Sequence, residues 1–290
     1  MHDRKRKWWG MLFILPQLIG LIVFALIPLV LTFVISMSEW DGFGTMEFVG
    51  FANFLEQFLD PDFKKAMVNT LYYSLLTIPS GIVLGLLLAL AIHNIRAKTL
   101  YRLFFFMPVV TSSVSIGVIW IWLLNGDFGI INQLLGIVGI TGPKWLTDTQ
   151  WVIPSIAMLS IWWGLGFNMV IFLAGLQGIS QTYYEAAVID GASAFRKFWH
   201  ITLPLLSPTT FFATIMATIS SFQVFDQAFV MTSGGPAKAS YTLVYHIFNR
   251  GFVESNMGAS AAAATILFLM ILVLTLIQFK FSRRWVHYEG

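Results

Sequence analysis

Few residues in this 290-residue chain have the types and spacing that chemistry requires. A nucleotide-hydrolysing loop ends in Gly-Lys, because backbone amides and that lysine together hold the phosphates, and no Gly-Lys dipeptide occurs. There is no cysteine, which excludes disulfides, thiolate metal sites and a Cys nucleophile. The histidines, His2, His93, His200, His246 and His287, form no i, i+4 pair and have no carboxylate at metal-ligand spacing. Each is expected in a loop or at an interface, and neither a metal site nor a catalytic residue is expected. Asp226 is the one clear carboxylate inside an apolar run. It reads either as a partly solvated, hydrogen-bonded side chain or as a polar contact for an uncharged polyol.

The other informative stretch is Tyr183 to Phe195, where Tyr184, Ala187, Val188, Gly191 and Phe195 fall on one helical face and Glu185, Ala192 and Arg196 lie off it. Gly191 permits a tight turn and Pro204 fixes the chain's re-entry into an apolar run, so a short helix, a bend and a second helix are expected. The stretch lacks the basic face and bulky apolar stripe of a lipid-surface helix. Small apolar anchors with an edge charge, Ala186, Ala187 and Glu185, suit docking into a groove of a protein partner.

The elements that position these residues are membrane spans. The chain is 57% hydrophobic against 11% charged, with mean hydropathy +0.77, which excludes a soluble enzyme or a nucleic-acid-binding domain. Apolar runs at Met11 to Ser36, Asn69 to Ile92, Leu103 to Leu124, Val152 to Leu176, Leu205 to Met231 and Ala259 to Phe279 predict an all-α polytopic bundle of six spans. The first run is too long for a signal peptide and is expected as a retained helix behind a tail at residues 1–10. Of the 17 basic residues only Lys64, Lys65, Lys144, Lys238 and Arg250 fall opposite the termini, so both termini are expected inside and 177–203 becomes a cytoplasmic loop. Pro16, Pro28, Pro79, Pro108, Pro154 and Pro208 predict kinked helices, either as bundle geometry alone or around a cavity. Met37 to Val68, acidic and aromatic, is expected as an external loop with short interfacial helices. One membrane domain over residues 1–290 accounts for the chain.

The string Glu185-Ala186-Ala187, Asp190-Gly191-Ala192 and Ile201, Leu203, Pro204 resembles the EAA loop of binding-protein-dependent ABC importer permeases. Phe48 to Phe54, Asn69-Thr70-Leu71, Arg102 to Pro108 and Thr232 to Pro236 extend the resemblance to the carbohydrate branch, and within it to the first, MalF-like permease. The resemblance implies a type I (MetI-like) permease core in a bacterial or archaeal plasma membrane. It implies a second, MalG-like permease subunit, two ATPase subunits that hold ATP and Mg, an extracellular binding protein and a sugar substrate; the chain would hold no cofactor. Glu185, Ala186, Ala187, Asp190, Gly191 and Ala192 would couple to an ATPase. By position in the family Ser113, Leu165, Gly166 and Ser221 would touch sugar; Asn168, Gln223 and Asp226 join them on chemistry. Each Ser or Gly has helix packing as its other reading, and Trp120, Trp122, Trp162 and Trp163 could stack on sugar or belt the interface. Alternatives are an ion-coupled secondary transporter, a membrane-embedded enzyme, or an importer of a polyol such as a glycerol phosphate. The lack of a mid-span Lys or Arg argues against a phosphorylated substrate.

Overall fold

A computed structural model describes residues 2–93 and 95–286, with backbone only for 2–10. Asn94 and His287 lie outside the described residues, as does the side chain of His2. In chain order the elements are α1 (His2–Leu21), a π-helical turn (Ile22–Leu26), α2 (Ile27–Ser36), β1 (Ser38–Glu39), β2 (Glu47–Phe48), α3 (Ala52–Leu59), α4 (Pro61–His93), α5 (Lys98–Val110), α6 (Ser113–Leu123) and α7 (Ile130–Ile137). There follow α8 (Val152–Gly178), α9 (Gln181–Ile189), α10 (Ala194–Lys197), a π turn (Phe198–Thr202), α11 (Leu203–Leu205), α12 (Ser207–Phe222), α13 (Asp226–Thr232), α14 (Leu243–Phe248), a third π turn (Asn249–Val253) and α15 (Met257–Ser282).

Four helical stretches, Met11–Ser36, Pro61–His93, Val152–Gly178 and Met257–Ser282, are each long and apolar enough to cross a membrane. The other two expected spans fall in bent helix pairs, the second of which starts at Ala194, inside the stretch expected as loop. α5 and α6 meet at 95°, and Ala194–Leu205 meets α12 at 62°. Counting each bent pair as one pass gives the expected six. The expected tail at 1–10 is helical from His2 onward, continuous with α1, and the second helix starts eight residues earlier than its apolar run, at Pro61.

Contacts divide the chain into two compact units, Met1–Phe63 with His246–Phe268, and Lys64–Tyr245 with Leu269–Gly290. In the first, the β1–β2 ribbon pairs Ser38 with Phe48 and Glu39 with Glu47. Asn53 stitches it to α2, its amide donating to the carbonyls of Ser36 at 3.0 Å and Ser38 at 2.8 Å. His246, expected in a loop or interface, is instead 1% exposed on α14. It sits 2.8 Å from Gln57 Oε1 and has its ring edge-on to Phe63. The segment that carries it is helical and packed, so the histidine is in neither a loop nor an interface. Beside it Arg250 donates to Asp60 at 2.6 Å, Glu254 at 2.9 Å and Glu56 at 3.1 Å.

The second unit is organised along α8, about 40 Å long at 1.5 Å per residue. Its first half, Val152 to Leu159, packs with Ile116, Trp120, Val224 and Ala228 in one apolar core. Its last part, Met169 to Leu176, packs with Ala89, Ile92, Leu206 and Ala213 in another. Close helix approach requires glycine at two points. A Cβ on Gly85 would lie 2.5 Å from Cβ of Asn168, and one on Gly166 would overlap the carbonyl of Phe105. In the segment after α13, Asn69 donates to the carbonyls of Lys238 and Tyr241, both at 2.9 Å, and the Thr70 hydroxyl accepts from the backbone N–H of Leu243. The Asn69-Thr70 pair thus anchors residues 238–243 on α4.

Burial acts to raise Asp60, but the backbone N–H of Asp62 and the Arg250 guanidinium outweigh it, and the carboxyl titrates below its ordinary 3.8. Burial holds His246 below its ordinary 6.5, against the pull of Asp60. The unfolded chain therefore binds a proton at His246 more readily than the folded one, so stability falls as pH drops below 6.5 and levels off below the folded pKa. Asp60 adds a second loss as pH falls below 3.8. Thermal unfolding followed in detergent should show a lower midpoint at pH 5.5 than at pH 7.5, and His246→Gln should flatten that difference. At neutral pH Arg250→Ala, which leaves the poorly exposed Asp60 carboxylate without its cation, should cost about 2 kcal/mol.

Candidate functional site: a polar cavity in mid-bundle and an exposed loop

Between the two apolar cores of the second unit lies a cavity of about 500 Å³. The middle of α8 supplies Ser160, Trp163 and Asn168; α4 supplies Tyr73, Thr77 and Gly81; α12 supplies Ser220 and Ser221. Gln223, Phe225, Asp226 and Gln227 complete the wall at the break after α12. The expected fifth span does not run on through Met231. It stops at Phe222, where the carbonyl of Val224 is taken by the Thr242 hydroxyl at 2.9 Å, and restarts as α13. Asp226 is therefore not inside a continuous helix but in the first turn of a new one, where a carboxylate complements the helix dipole. Its Oδ2 accepts from the Ser113 hydroxyl at 2.6 Å.

The α5–α6 break also faces this region. Pro108 supplies no N–H, and its own carbonyl is satisfied twice, by Thr111 N–H at 3.0 Å and by Trp163 Nε1 at 2.7 Å. Trp163 thus packs, hydrogen-bonds and lines the cavity at once. Trp120 is buried against the Trp162 ring, 5.8 Å away, and Trp122 is exposed.

Of the seven residues expected to touch substrate, the fold brings Asn168, Ser221, Gln223 and Asp226 to one wall and Ser113 onto Asp226. Asn168 also donates to the carbonyl of Gly81 at 3.1 Å, and the Ser221 hydroxyl donates to the carbonyl of Thr218 at 3.0 Å. Leu165 lines a different cavity of about 460 Å³, almost wholly apolar, with Leu76, Ser80, Leu84 and Trp162. Gly166 is buried in the α5–α8 contact rather than on either wall. Sequence reasoning passed over Tyr73, Thr77, Ser160, Ser220 and Gln227. Their signal was a hydroxyl or amide within an apolar run, and it does not say which way the helix turns it.

The second candidate site is the loop over 177–203. Ser180 caps α9 by accepting from Thr182 N–H, and Gly191 turns the chain with φ +71°. Ala192 N–H closes the turn on the carbonyl of Ala187 at 2.8 Å, and Ser193 caps α10. The expected helix, bend and helix are present, but the bend divides the expected apolar face. Tyr184 and Ala187 turn inward, and Tyr184 lies 2.9 Å from the Thr202 hydroxyl. Val188, Ile189 and Phe195 are 59%, 87% and 74% exposed. Glu185, Ala186, Asp190 and Gly191 are exposed, and Ala192 is half-buried. Among the described residues no group of His, Cys, Asp and Glu could hold a metal ion.

Residues 81–287 match the family model described as "Binding-protein-dependent transport system inner membrane component". The chain is 37% identical over 280 residues to the sn-glycerol-3-phosphate transport system permease protein UgpA of Agrobacterium fabrum, covering 96% of this chain and 95% of that one. It is 35% identical to the probable ABC transporter permease protein YesP of Bacillus subtilis, covering 99% and 94%. Its fold superposes with a TM-score of 0.83, at 25% identity and 98% coverage of both chains, on a chain of a bacterial ABC transporter involved in the import of the acidic polysaccharide alginate. By sequence and by fold the chain belongs to the binding-protein-dependent transport system inner membrane component family, and it is a membrane-embedded, non-catalytic permease subunit of an ABC importer.

Proposed function

We propose that this chain, as one permease domain over residues 1–290, forms half of the path for a neutral sugar or oligosaccharide. An extracellular binding protein delivers the sugar, a second, MalG-like permease subunit supplies the other half, and two ATPase subunits close on ATP and Mg. Both termini lie on the ATPase side. The observation that carries the substrate class is the composition of the cavity wall. Hydroxyls of Thr77, Ser160, Ser220 and Ser221 and amides of Asn168, Gln223 and Gln227 stand beside Tyr73, Trp163 and Phe225, and no Lys, Arg or His is among the lining residues. Donors and acceptors mixed with aromatic faces match a polyhydroxylated ring. Asp226 sets the wall's charge, and an anion there would meet a carboxylate without compensation.

The 37% identity to a glycerol-phosphate permease favours a second reading, in which this chain carries a phosphorylated polyol. The two differ in what Asp226 does. For a neutral sugar the carboxylate is an acceptor held by Ser113; for a phosphate it is a repulsion.

The exposed apolar triad of Val188, Ile189 and Phe195 beside Glu185 supports the loop as the docking element for an ATPase subunit. Closure of the ATPases would move α9 and, through the Tyr184–Thr202 contact, the chain leading into α12 and the cavity wall.

Two measurements test this reading in proteoliposomes of the assembled importer. Neutral sugars should stimulate ATP hydrolysis and sn-glycerol 3-phosphate should not compete; Asp226→Asn should lower neutral-sugar transport about tenfold, as loss of a charged hydrogen-bond acceptor. Stimulation by glycerol phosphate alone would replace the first reading with the second. Glu185→Lys and Gly191→Trp, the latter forcing a side chain into the left-handed region, should each lower sugar-stimulated hydrolysis by about tenfold or more while the helical bundle stays folded. Normal coupling in both would remove the loop's assigned role.

A further inference from the structure

A hydroxyl on a cavity wall can donate to a ligand only if its proton is not already committed, and in the polar cavity several are. The hydroxyl of Thr77 on α4 donates to the carbonyl of Tyr73 at 2.9 Å, that of Ser160 on α8 to the carbonyl of Ile156 at 2.9 Å, and that of Ser221 on α12 to the carbonyl of Thr218 at 3.0 Å. Each bond runs back to the preceding turn of the same helix, the partner a hydroxyl takes in an apolar span where no water competes. The Trp163 indole N–H is spent on Pro108, and one N–H of Asn168 on Gly81. A hydroxyl that has given its proton keeps its oxygen lone pairs. Thr77, Ser160 and Ser221, one from each of three helices, therefore meet the cavity as acceptors, and so does the Asp226 carboxylate, which itself takes a proton from Ser113. Donation to a ligand is left to Tyr73, Ser220 and the amides, Gln223 and Gln227 among them at the break after α12.

From this division of roles we infer that the cavity reads a sugar by its hydroxyl protons: the sugar hydroxyls that meet Thr77, Ser160 and Ser221 must donate, and a substrate whose polar groups there can only accept is refused. The inference rests on the neutral-sugar reading and assigns the specificity of that same site. Turning one of the three helix hydroxyls towards a ligand as a donor would break a bond already made, whereas accepting from the ligand leaves that bond in place. A sugar hydroxyl carries one proton and two lone pairs, so it can give the proton to this part of the wall and take a bond from the amides. A phosphate or carboxylate brings acceptors alone. Its exclusion then follows from unmatched lone pairs at neutral residues as well as from the charge of Asp226.

The test is transport, by the assembled importer, of a neutral sugar that the wild type carries and of its deoxy and deoxyfluoro analogues at each hydroxyl in turn. Fluorine keeps roughly the size and the lone pairs of the hydroxyl and loses its proton. At one hydroxyl or more, both analogues should lower kcat/KM alike, by about three- to tenfold, the size of one neutral hydrogen bond. A binding protein also handles the sugar, so each loss is measured again in Thr77→Val, Ser160→Ala and Ser221→Ala. In the variant that lacks the accepting oxygen the loss should shrink to within about twofold, a coupling that a hydroxyl serving only its own helix would not give. A deoxyfluoro analogue carried as well as the parent sugar wherever the deoxy one is not would reveal a wall that donates, and would overturn the inference. The same losses in all three variants, or no loss at any hydroxyl, would overturn it too; the neutral-sugar reading survives each of these results. A wild type that carries only sn-glycerol 3-phosphate would overturn both.

Discussion

Inside a bilayer no water completes the hydrogen bonds of a broken helix, so each interruption must find its partners within the protein. The right-angle break between α5 and α6 meets that demand through two side chains, the Trp163 indole N–H on the carbonyl of Pro108 and the Thr111 hydroxyl on that of Met107. The stop after Phe222 meets it through the Thr242 hydroxyl on the carbonyl of Val224. Both interruptions lie next to the polar cavity, and neither is far from Asp226. The irregular backbone, the polar lining and the single carboxylate therefore belong to one arrangement. A helix that ran straight through either point would carry its side chains past the cavity rather than into it.

That arrangement is held from two ends by apolar packing. The start of α8 is fixed in one core and its end in the other, leaving the middle turns to bear Ser160, Trp163 and Asn168. Gly166 lies among them yet contributes contact of another kind, since its missing side chain lets α5 approach. Neighbouring residues on one helix differ by about 100° in direction, so a cavity residue and a packing residue can sit two positions apart.

This rotation explains what sequence could and could not give. Hydropathy marked the four helices long and apolar enough to cross a membrane, because about twenty apolar residues in a row have few other uses. It could not locate the break within the third run, as Leu103 to Leu124 is apolar on both sides of Thr111 to Ser113, nor the stop at Phe222, because the apolar residues continue to Met231 between Gln223, Asp226 and Gln227. Asn168, Gln223 and Asp226, picked out by their chemistry, all lie on the polar cavity wall, because polar groups in such runs must face something polar. Position in the family placed Leu165 and Gly166 beside substrate, but the turn of α8 sends the first to an apolar cavity and the second into a helix contact. The burial of His246 was not legible because a short helix is buried by partners far along the chain, Gln57 and Phe63, that no local pattern connects to it.

Asn53 and Asn69 do the same work in separate units. Each amide spends both of its N–H groups on two carbonyls of an otherwise irregular stretch. Only a neutral group with two donors on one nitrogen can do this; a carboxylate of the same shape would present two acceptors to two acceptors, and a hydroxyl has one proton. The stitches so made carry no net charge. They are indifferent to ionic strength and to the titration of their surroundings, while the Arg250 cluster, whose partners Glu56 and Asp60 follow Asn53 in sequence, is subject to both. Attachment of the loops and their electrostatic response are thus assigned to different side chains, and a change of medium can alter the second while the first stays in place.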